Sequence, residues 1–282
     1  MPFGFVLVKL HLLAAALTGT HVAAAPTTLC TLQDSRITES SGVAVGPTAI
    51  WTHNDSGDTA RFFALDRHCR TIATYTLPGV KATDWEDMAR AGGYLWLGDI
   101  GDNAGKRSQI QVHRVLEPRG PSHPVQPTTY RFRYEDGPRD AETLLVDWRS
   151  QRVFIVTKSY SGWAGVYSAP LTPSVVNVLH KVATFQLSPT GTAGGPIGAL
   201  GELSVTAGDI SPNGTRVVVR TYTDAYEWTV TGGDLAKAFS TSPSRTPLPT
   251  DTQGEGIAYD TDGRSWITTS EGKGSPVRRV PR

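Results

Sequence analysis

A short unit recurs along the chain: an acidic residue stands before a run of apolar and small residues, and further short apolar runs follow. The unit that begins near Glu86 is the clearest, with strand-like runs at 87–90, 94–98, 110–115 and 129–134. Glycine-containing turns separate these runs, and the chain holds 29 glycines and 19 prolines. Short apolar runs between such turns are typical of β-strands. Each unit is therefore predicted to be a small antiparallel sheet.

The acids that begin the units are separated by roughly the length of one propeller blade. They are Glu39, Glu86, Glu142, Asp209 and Glu255, with successive separations of 47, 56, 67 and 46 residues. Four short strands in a unit of about 40–50 residues indicate a β-propeller. The widest gap contains a Gly-, Pro- and Thr-rich segment, 188–202, which we interpret as a surface insertion. The sequence thus predicts an all-β, five-bladed β-propeller, and six blades are the less favoured alternative.

The segment 1–24 has the pattern of a secretory signal peptide. It has a weakly charged start, apolar runs and an alanine-rich end. Cleavage is expected after Ala24, which leaves 25–282 as one propeller domain. An uncleaved membrane anchor is the alternative, but the apolar run is interrupted and short for a span. We therefore expect a secreted, monomeric protein without a membrane span in its mature form.

The chain has two cysteines, Cys30 and Cys69. In an exported protein, a pair of cysteines most simply forms one disulfide, although two buried free thiols are an alternative. The segment 27–32 is a spare strand, and the last unit reaches the C-terminus with about three strands. If the spare strand completes the last blade, the ring closes without exposed sheet edges. A bond from Cys30 to Cys69 would then fix this closure.

The first strand of each propeller blade lines the central channel, so the five acids are predicted to form a ring around it. Like charges at such short range repel, and a bound cation would offset the repulsion. Carboxylate oxygens suit a hard cation, and calcium is the expected ion in an exported protein. The alternative is that the acids accept hydrogen bonds from backbone N–H groups of the neighbouring blade.

Second strands are expected to end at the same mouth of the channel. There Asp99, Lys158 and Arg220 are the candidate catalytic residues, with Asp99 or a carboxylate of the ring as the base. Lys158 and Arg220 would hold phosphate or carboxylate oxygens of an anionic ligand together with the cation. Alternatively, the two basic residues only neutralise the acids.

Charge and motifs exclude several classes of function. The 27 Lys and Arg residues nearly balance the 26 Asp and Glu residues, which argues against nucleic-acid binding by bulk charge. The sequence contains no nucleophile elbow, no His-Glu-x-x-His zinc motif and no phosphate-binding P-loop.

The order of these pieces resembles the five-bladed calcium-dependent nucleotidases, or apyrases, of animals. The resemblance rests on Glu86-Asp87-Met88-Ala89 with the run 94–98, and on Gly254-Glu255-Gly256-Ile257. It implies that Glu86, Glu142 and Glu255 are calcium ligands. Asp209 departs from that family, which tends to have a small hydroxyl residue there. Bacterial phytase-type propellers share similar blade starts, so the resemblance supports the fold and the metal more than the reaction.

Two functions follow as expectations. One is a calcium-dependent hydrolase of phosphate-containing or other anionic esters. The other is a non-catalytic propeller that binds a cell-wall glycan or a protein. Propellers support both, so the fold alone does not choose between them.

Overall fold

A computed structural model of the protein describes Met1 and residues 24–282. The predicted signal peptide falls almost entirely on residues outside this range. Within the described residues, no helix is both long and apolar enough to cross a membrane.

The described chain is all-β and consists of consecutive antiparallel meanders. Strand β1 (Thr27–Thr31) comes first. The first meander contains β2 (Ser40–Val45), β3 (Ile50–Asn54), β4 (Arg61–Leu65) and β5 (Thr71–Thr76). The second contains β6 (Trp85–Ala91), β7 (Tyr94–Asp99), β8 (Ile110–Leu116) and β9 (Thr128–Tyr134).

Three further meanders follow in the same order of strands. The third contains β10 (Ala141–Asp147), β11 (Arg152–Thr157), β12 (Trp163–Pro170) and β13 (Val176–Gln186). The fourth contains β14 (Val205–Ile210), β15 (Arg216–Thr221), β16 (Asp224–Thr229) and β17 (Ser244–Pro247). The last contains β18 (Gly254–Tyr259), β19 (Ser265–Ser270) and β20 (Pro276–Pro281).

Burial distinguishes the inner strands from the outer ones. Every residue of β2, β3, β18 and β19 is buried. Outer strands such as β5 and β9 alternate between buried and exposed positions. Strands covered on both faces need apolar or small residues throughout, whereas a strand with one wet face alternates. This difference explains why the inner runs were the clearest signal in the sequence.

The apolar core lies between neighbouring meanders. Trp51 and Leu97 belong to the cluster between the first two meanders, and Trp96 and Ile155 to the next. Further clusters join the third meander to the fourth and the fourth to the last. Another cluster contains Ile267 with residues of the first meander, so the packing returns to its start. This arrangement is that of a β-propeller.

Two meanders are also joined at their outer edges. The outer strands β9 and β13 pair in parallel, with Val176 opposite Arg131 and Leu179 opposite Tyr134. The second and third meanders therefore form one eight-stranded sheet. This pairing satisfies backbone groups that two free edges would leave exposed.

The ends of the chain close the fold as the sequence predicted. Strand β1 pairs antiparallel with β20 and becomes the outer strand of the last sheet. Cys30 and Cys69 form the predicted disulfide, which links β1 to the turn after β4. The disulfide prediction is confirmed, and such a bond indicates an oxidising environment.

The segment 188–202 is an insertion between β13 and β14, as predicted. Its regular structure is one turn of 3₁₀ helix, Gly198–Leu200. A short helix, α1 (Leu235–Ala238), lies between β16 and β17. Asp234 caps its N-terminus by accepting a hydrogen bond from the backbone N–H of Lys237.

Two histidines are buried between the first two meanders, on either side of Trp85. The ring centroids of His53 and His113 lie 5.3 and 6.1 Å from that of Trp85. Burial lowers the pKa of His113 to about 4, and burial also lowers the pKa of His53. The fold therefore holds both rings in the neutral form.

The neutral His113 makes stability depend on pH. The pKa of His113 in the folded state lies below its ordinary value of 6.5. The stability that the neutral ring contributes is therefore complete above pH 6.5 and is lost as the pH falls towards 4. Between these limits wild type should lose about 3 kcal/mol of unfolding free energy that His113→Phe does not lose. Urea titrations at pH 7 and pH 4.5 measure this difference.

Wild type must be compared with His113→Phe because buried carboxylates with a raised pKa gain stability as the pH falls, which is opposite to the effect of His113. Burial raises the pKa of Asp209 to about 7, so protonation of its carboxylate at lower pH stabilises the folded state. His180→Gln is the control, since His180 is exposed and binds Glu135 at the surface. Equal pH dependence in wild type and His113→Phe would contradict the prediction.

Candidate functional site

Each innermost strand begins with an irregularity in its pairing. The register of β6 shifts between Trp85 and Asp87, and that of β10 shifts between Ala141 and Thr143. The same shift occurs at the start of β14, and a longer irregularity, with two unpaired residues, occurs at the start of β2 and of β18. A β-bulge leaves an extra residue unpaired and redirects its side chain. The five bulges therefore define equivalent positions around the channel.

The residues at these positions are three glutamates and two hydroxyl residues: Ser41, Glu86, Glu142, Thr206 and Glu255. The Ser41 hydroxyl donates to the backbone carbonyl of Glu86. The Thr206 hydroxyl donates to the carbonyl of Glu255 at 3.0 Å. These bonds join neighbouring strands at the mouth of the channel and fix the backbone from which the glutamates project.

Lys158, at the end of β11, contributes a positive charge among these glutamates. Its Nζ lies 2.6 Å from Glu142 Oε1 and 3.3 Å from the Tyr222 hydroxyl. Oε1 of Glu255 accepts a hydrogen bond from Gln253 at 3.1 Å. Oε2 of Glu255 is buried and has no hydrogen-bond partner among residues 24–282. A buried carboxylate oxygen left unpaired in this way is what a bound cation or water would satisfy.

Glu86 also belongs to a second group of acids, which includes two loop residues. Asp55, Asp84 and Glu86 each offer a carboxylate oxygen, and these oxygens lie within 4.8 Å of one another. The backbone of Gly101 closes over them, and a Cβ at that position would collide with Glu86 Oε1. This acidic triad can hold a metal ion through hard oxygen ligands.

Burial and mutual repulsion dominate the electrostatics of the site. Burial, followed by the charge of Glu142, raises the pKa of Glu86 well above its ordinary value. Burial raises the pKa of Asp84 to about 6 and that of Glu142 to about 7. Burial alone would lower the pKa of Lys158, but Glu142 raises it above the ordinary value. Without a cation, keeping these acids ionised therefore costs free energy.

The structure brings together only three of the five predicted ring acids. Glu86, Glu142 and Glu255 occupy equivalent bulge positions, whereas Glu39 and Asp209 do not. Glu39 is exposed and precedes β2, so Ser41 stands in its place. Asp209 lies further along β14 and accepts a hydrogen bond from the backbone N–H of Tyr259 at 2.9 Å. It therefore joins two neighbouring inner strands, as the alternative interpretation of these acids supposed.

Asp99, predicted as a base, is buried at the end of β7 and fully engaged. Its carboxylate accepts from the backbone N–H groups of Asp84 and Thr83 at 3.1 and 3.4 Å. Its Oδ1 also lies 2.7 Å from Arg107 Nη2. These contacts position the loop that carries Asp84. The geometry therefore gives Asp99 a positioning role. Its role as a base stays a prediction.

Arg220, predicted to hold an anion, is completely buried between the fourth and last meanders. Its guanidinium donates to the backbone carbonyls of Thr221, Gly256 and Tyr222 at 2.9–3.2 Å, and to that of Thr269 at 3.4 Å. Burial lowers its pKa to about 10. Arg220 is buried and directs its donors at backbone carbonyls. It does not present them to the mouth of the channel, where it was predicted to hold an anion. Lys158 is the predicted basic residue that lies beside the acids.

Sequence reasoning missed Asp55 and Asp84 as members of the site. Both lie in loops beside the channel, one directly after β3 and the other directly before β6. The useful signal was position: residues just after a second strand, or just before a first strand, face the same mouth.

Comparison with known proteins leaves the chain without a family. No family model matches it, and no curated protein matches it. One similar solved structure is a gluconolactonase from Xanthomonas campestris, 11% identical, with a TM-score of 0.45, covering 91% of this chain and 89% of that one. Another is the WD40 repeats of RRP9, 10% identical, with a TM-score of 0.43, covering 90% and 80%. At these TM-scores neither supports an argument, and the resemblance to apyrases and phytase-type propellers stays a prediction.

Proposed function

We propose that this protein is a secreted five-bladed β-propeller that binds calcium at the acidic triad and hydrolyses anionic esters beside it. The observation that carries the proposal is the convergence of Asp55, Asp84 and Glu86 next to Glu142 and Lys158. The five bulged inner strands, and core clusters that return to the first meander, support the count of five blades.

The donor set fits calcium better than a softer metal. Asp55, Asp84 and Glu86 offer only oxygen atoms, and calcium accepts variable shells that water completes. The buried Oε2 of Glu255 has no hydrogen-bond partner among residues 24–282, so a cation or a water in the neighbouring channel would satisfy it. A cation here would relieve the repulsion that burial strengthens.

The chain's own residues suggest how an anionic ester would be held. Lys158 is fixed by Glu142 and Tyr222 and presents its positive charge beside the acidic triad. A bound cation would polarise an oxygen of the ester. In hydrolysis of a phosphate ester, the oxygen of water bonds to phosphorus and the bond to the leaving group breaks; one proton of the water goes to the leaving group and the other stays on the phosphate. Glu142 holds Lys158 in place, where its positive charge would stabilise the negative charge that develops on the leaving group.

Calcium binding is tested by melting. In saturating calcium the melting temperature of wild type should rise by about 5–10 °C, and chelator should reverse the rise. Glu86→Gln should lose this response yet melt no lower than wild type in chelator, because it removes one of several repelling carboxylates. Glu39→Gln is the matched control, since Glu39 is exposed and outside the triad, and it should keep the response.

Hydrolysis is tested with the same three proteins. Release of nitrophenol from 4-nitrophenyl phosphate should require calcium, persist in Glu39→Gln and be lost in Glu86→Gln. A calcium-dependent melting shift without hydrolysis would favour a binding propeller instead. No melting shift with calcium would refute the metal site.

A further inference from the structure

A groove of about 360 Å³ opens beside the acidic site, across the ends of β10 to β13. Its inner part is lined by Asp140 and Lys158, and its outer part by Trp163 and Lys181. Because Lys158 also bonds Glu142, the groove begins at the proposed site and runs outward over one sheet. Its volume is in the range of small-molecule sites.

The groove has more positive than negative side chains. Arg139, Lys158 and Lys181 line it, against one acid, Asp140. Arg139 and Lys181 share the carboxylate of Asp136, at 3.1 and 3.5 Å. One carboxylate between two cations leaves part of their charge for a ligand with electronegative substituents.

Trp163 gives the groove a flat wall. Its side chain remains 52% exposed although it is at the start of a strand. The turn before it is held by a 2.7 Å hydrogen bond between the hydroxyls of Ser159 and Ser161. Gly165 lets the ring of Tyr167 pack close to the backbone of the floor, since a Cβ there would lie 2.8 Å from that ring. The exposed indole of Trp163 beside this floor provides a surface on which a planar ring can stack.

We propose that this groove binds the aromatic leaving group of an anionic ester whose charged end lies at the acidic site, with the ring stacked on Trp163. The inference rests on the proposed function and names its substrate class. It makes Trp163 a specificity residue for aromatic over aliphatic esters.

Calorimetric titration with two non-hydrolysable probes tests this assignment. In saturating calcium, phenylphosphonate carries both the anion and the ring, and methylphosphonate carries the anion alone. Trp163→Ala should weaken phenylphosphonate binding about two- to tenfold and leave methylphosphonate binding unchanged. Tyr160→Ala is the matched control, because Tyr160 is in the same turn and equally exposed at 52% but does not line the groove.

The outcomes separate this inference from the function on which it rests. Unchanged phenylphosphonate binding in Trp163→Ala, or equal weakening of both probes, would overturn the ring site while leaving the calcium site intact. Equal weakening in Tyr160→Ala would also overturn it. If wild type shows the calcium melting shift but binds neither probe, anionic ester binding fails, and this inference fails with it. Melting of Trp163→Ala with and without calcium shows that the fold and metal response persist.

Discussion

Replacing both cysteines by serine is expected to lower the free energy of unfolding by about 4 kcal/mol, from the chain-entropy relation for this loop. Cys30 and Cys69 are 39 residues apart and join β1 to the turn after β4. The bond holds the last sheet's outer strand against the first meander, where the ring closes. Guanidinium titration of Cys30→Ser/Cys69→Ser measures the loss.

Reduction of wild type provides the control. Treatment with reductant should lower stability by the same amount as the double substitution and should have no effect on the double variant. Hydrogen exchange should increase most in β1 and the paired part of β20, because these strands lose their link to the first meander. Unchanged stability after complete reduction would contradict the prediction.

Arg220→Met is expected to destabilise the protein by about 3–5 kcal/mol, provided that it still folds. The guanidinium is buried between two sheets and donates to four backbone carbonyls. Methionine fills part of the space but donates no hydrogen bond, so these acceptors lose a partner away from water. Urea unfolding followed by tryptophan fluorescence measures the effect.

Arg216→Met is the matched control on the same strand. Arg216 is partly exposed and pairs with Glu227 at 3.1 Å, and Arg282 also contacts Glu227. Glu227 is buried but keeps Arg282 and the Tyr259 hydroxyl as partners when Arg216 is removed, so Arg216→Met should cost less than Arg220→Met. Similar losses in both variants would show that Arg220 is not the internal tie described here. Retention of calcium binding in folded Arg220→Met would further separate it from the acidic site.

The sequence was sufficient to place the inner strands, because burial differs so strongly between inner and outer positions. The outer strand β17 of the fourth meander was not predicted. The fully buried strands β3 and β19 gave continuous runs at 50–54 and 265–270, and turns with glycine separated them from their neighbours. The closing strand β1 could also be predicted, because the last unit lacked one strand. The disulfide could be predicted because two cysteines in an exported chain most simply form one bond. These features depend on local pattern and on counting.

The candidate site was harder to predict because the sequence units were aligned on acids. The structure aligns them on the β-bulge, which places Ser41 rather than Glu39, and Thr206 rather than Asp209, at equivalent positions. A displacement of two or three residues along an inner strand decides between the mouth of the channel and the interface between strands. No local pattern showed where the pairing register shifts.

By itself, the sequence determined the all-β units, their order, the closing strand and three of the acids that meet at the channel. The units and their order follow from periodicity and spacing between residues near one another in the chain, and the closing strand follows from the one strand that the last unit lacks. Only the tertiary structure decided that Asp55 and Asp84 join Glu86, that Lys158 lies beside Glu142, and that Arg220 is enclosed. The contacts of Asp55 with Glu86 and of Arg220 with Gly256 join residues from different sheets, and the packing of those sheets around the channel sets their distances. Lys158 and Glu142 belong to one sheet, where the pairing of β10 with β11 brings them together.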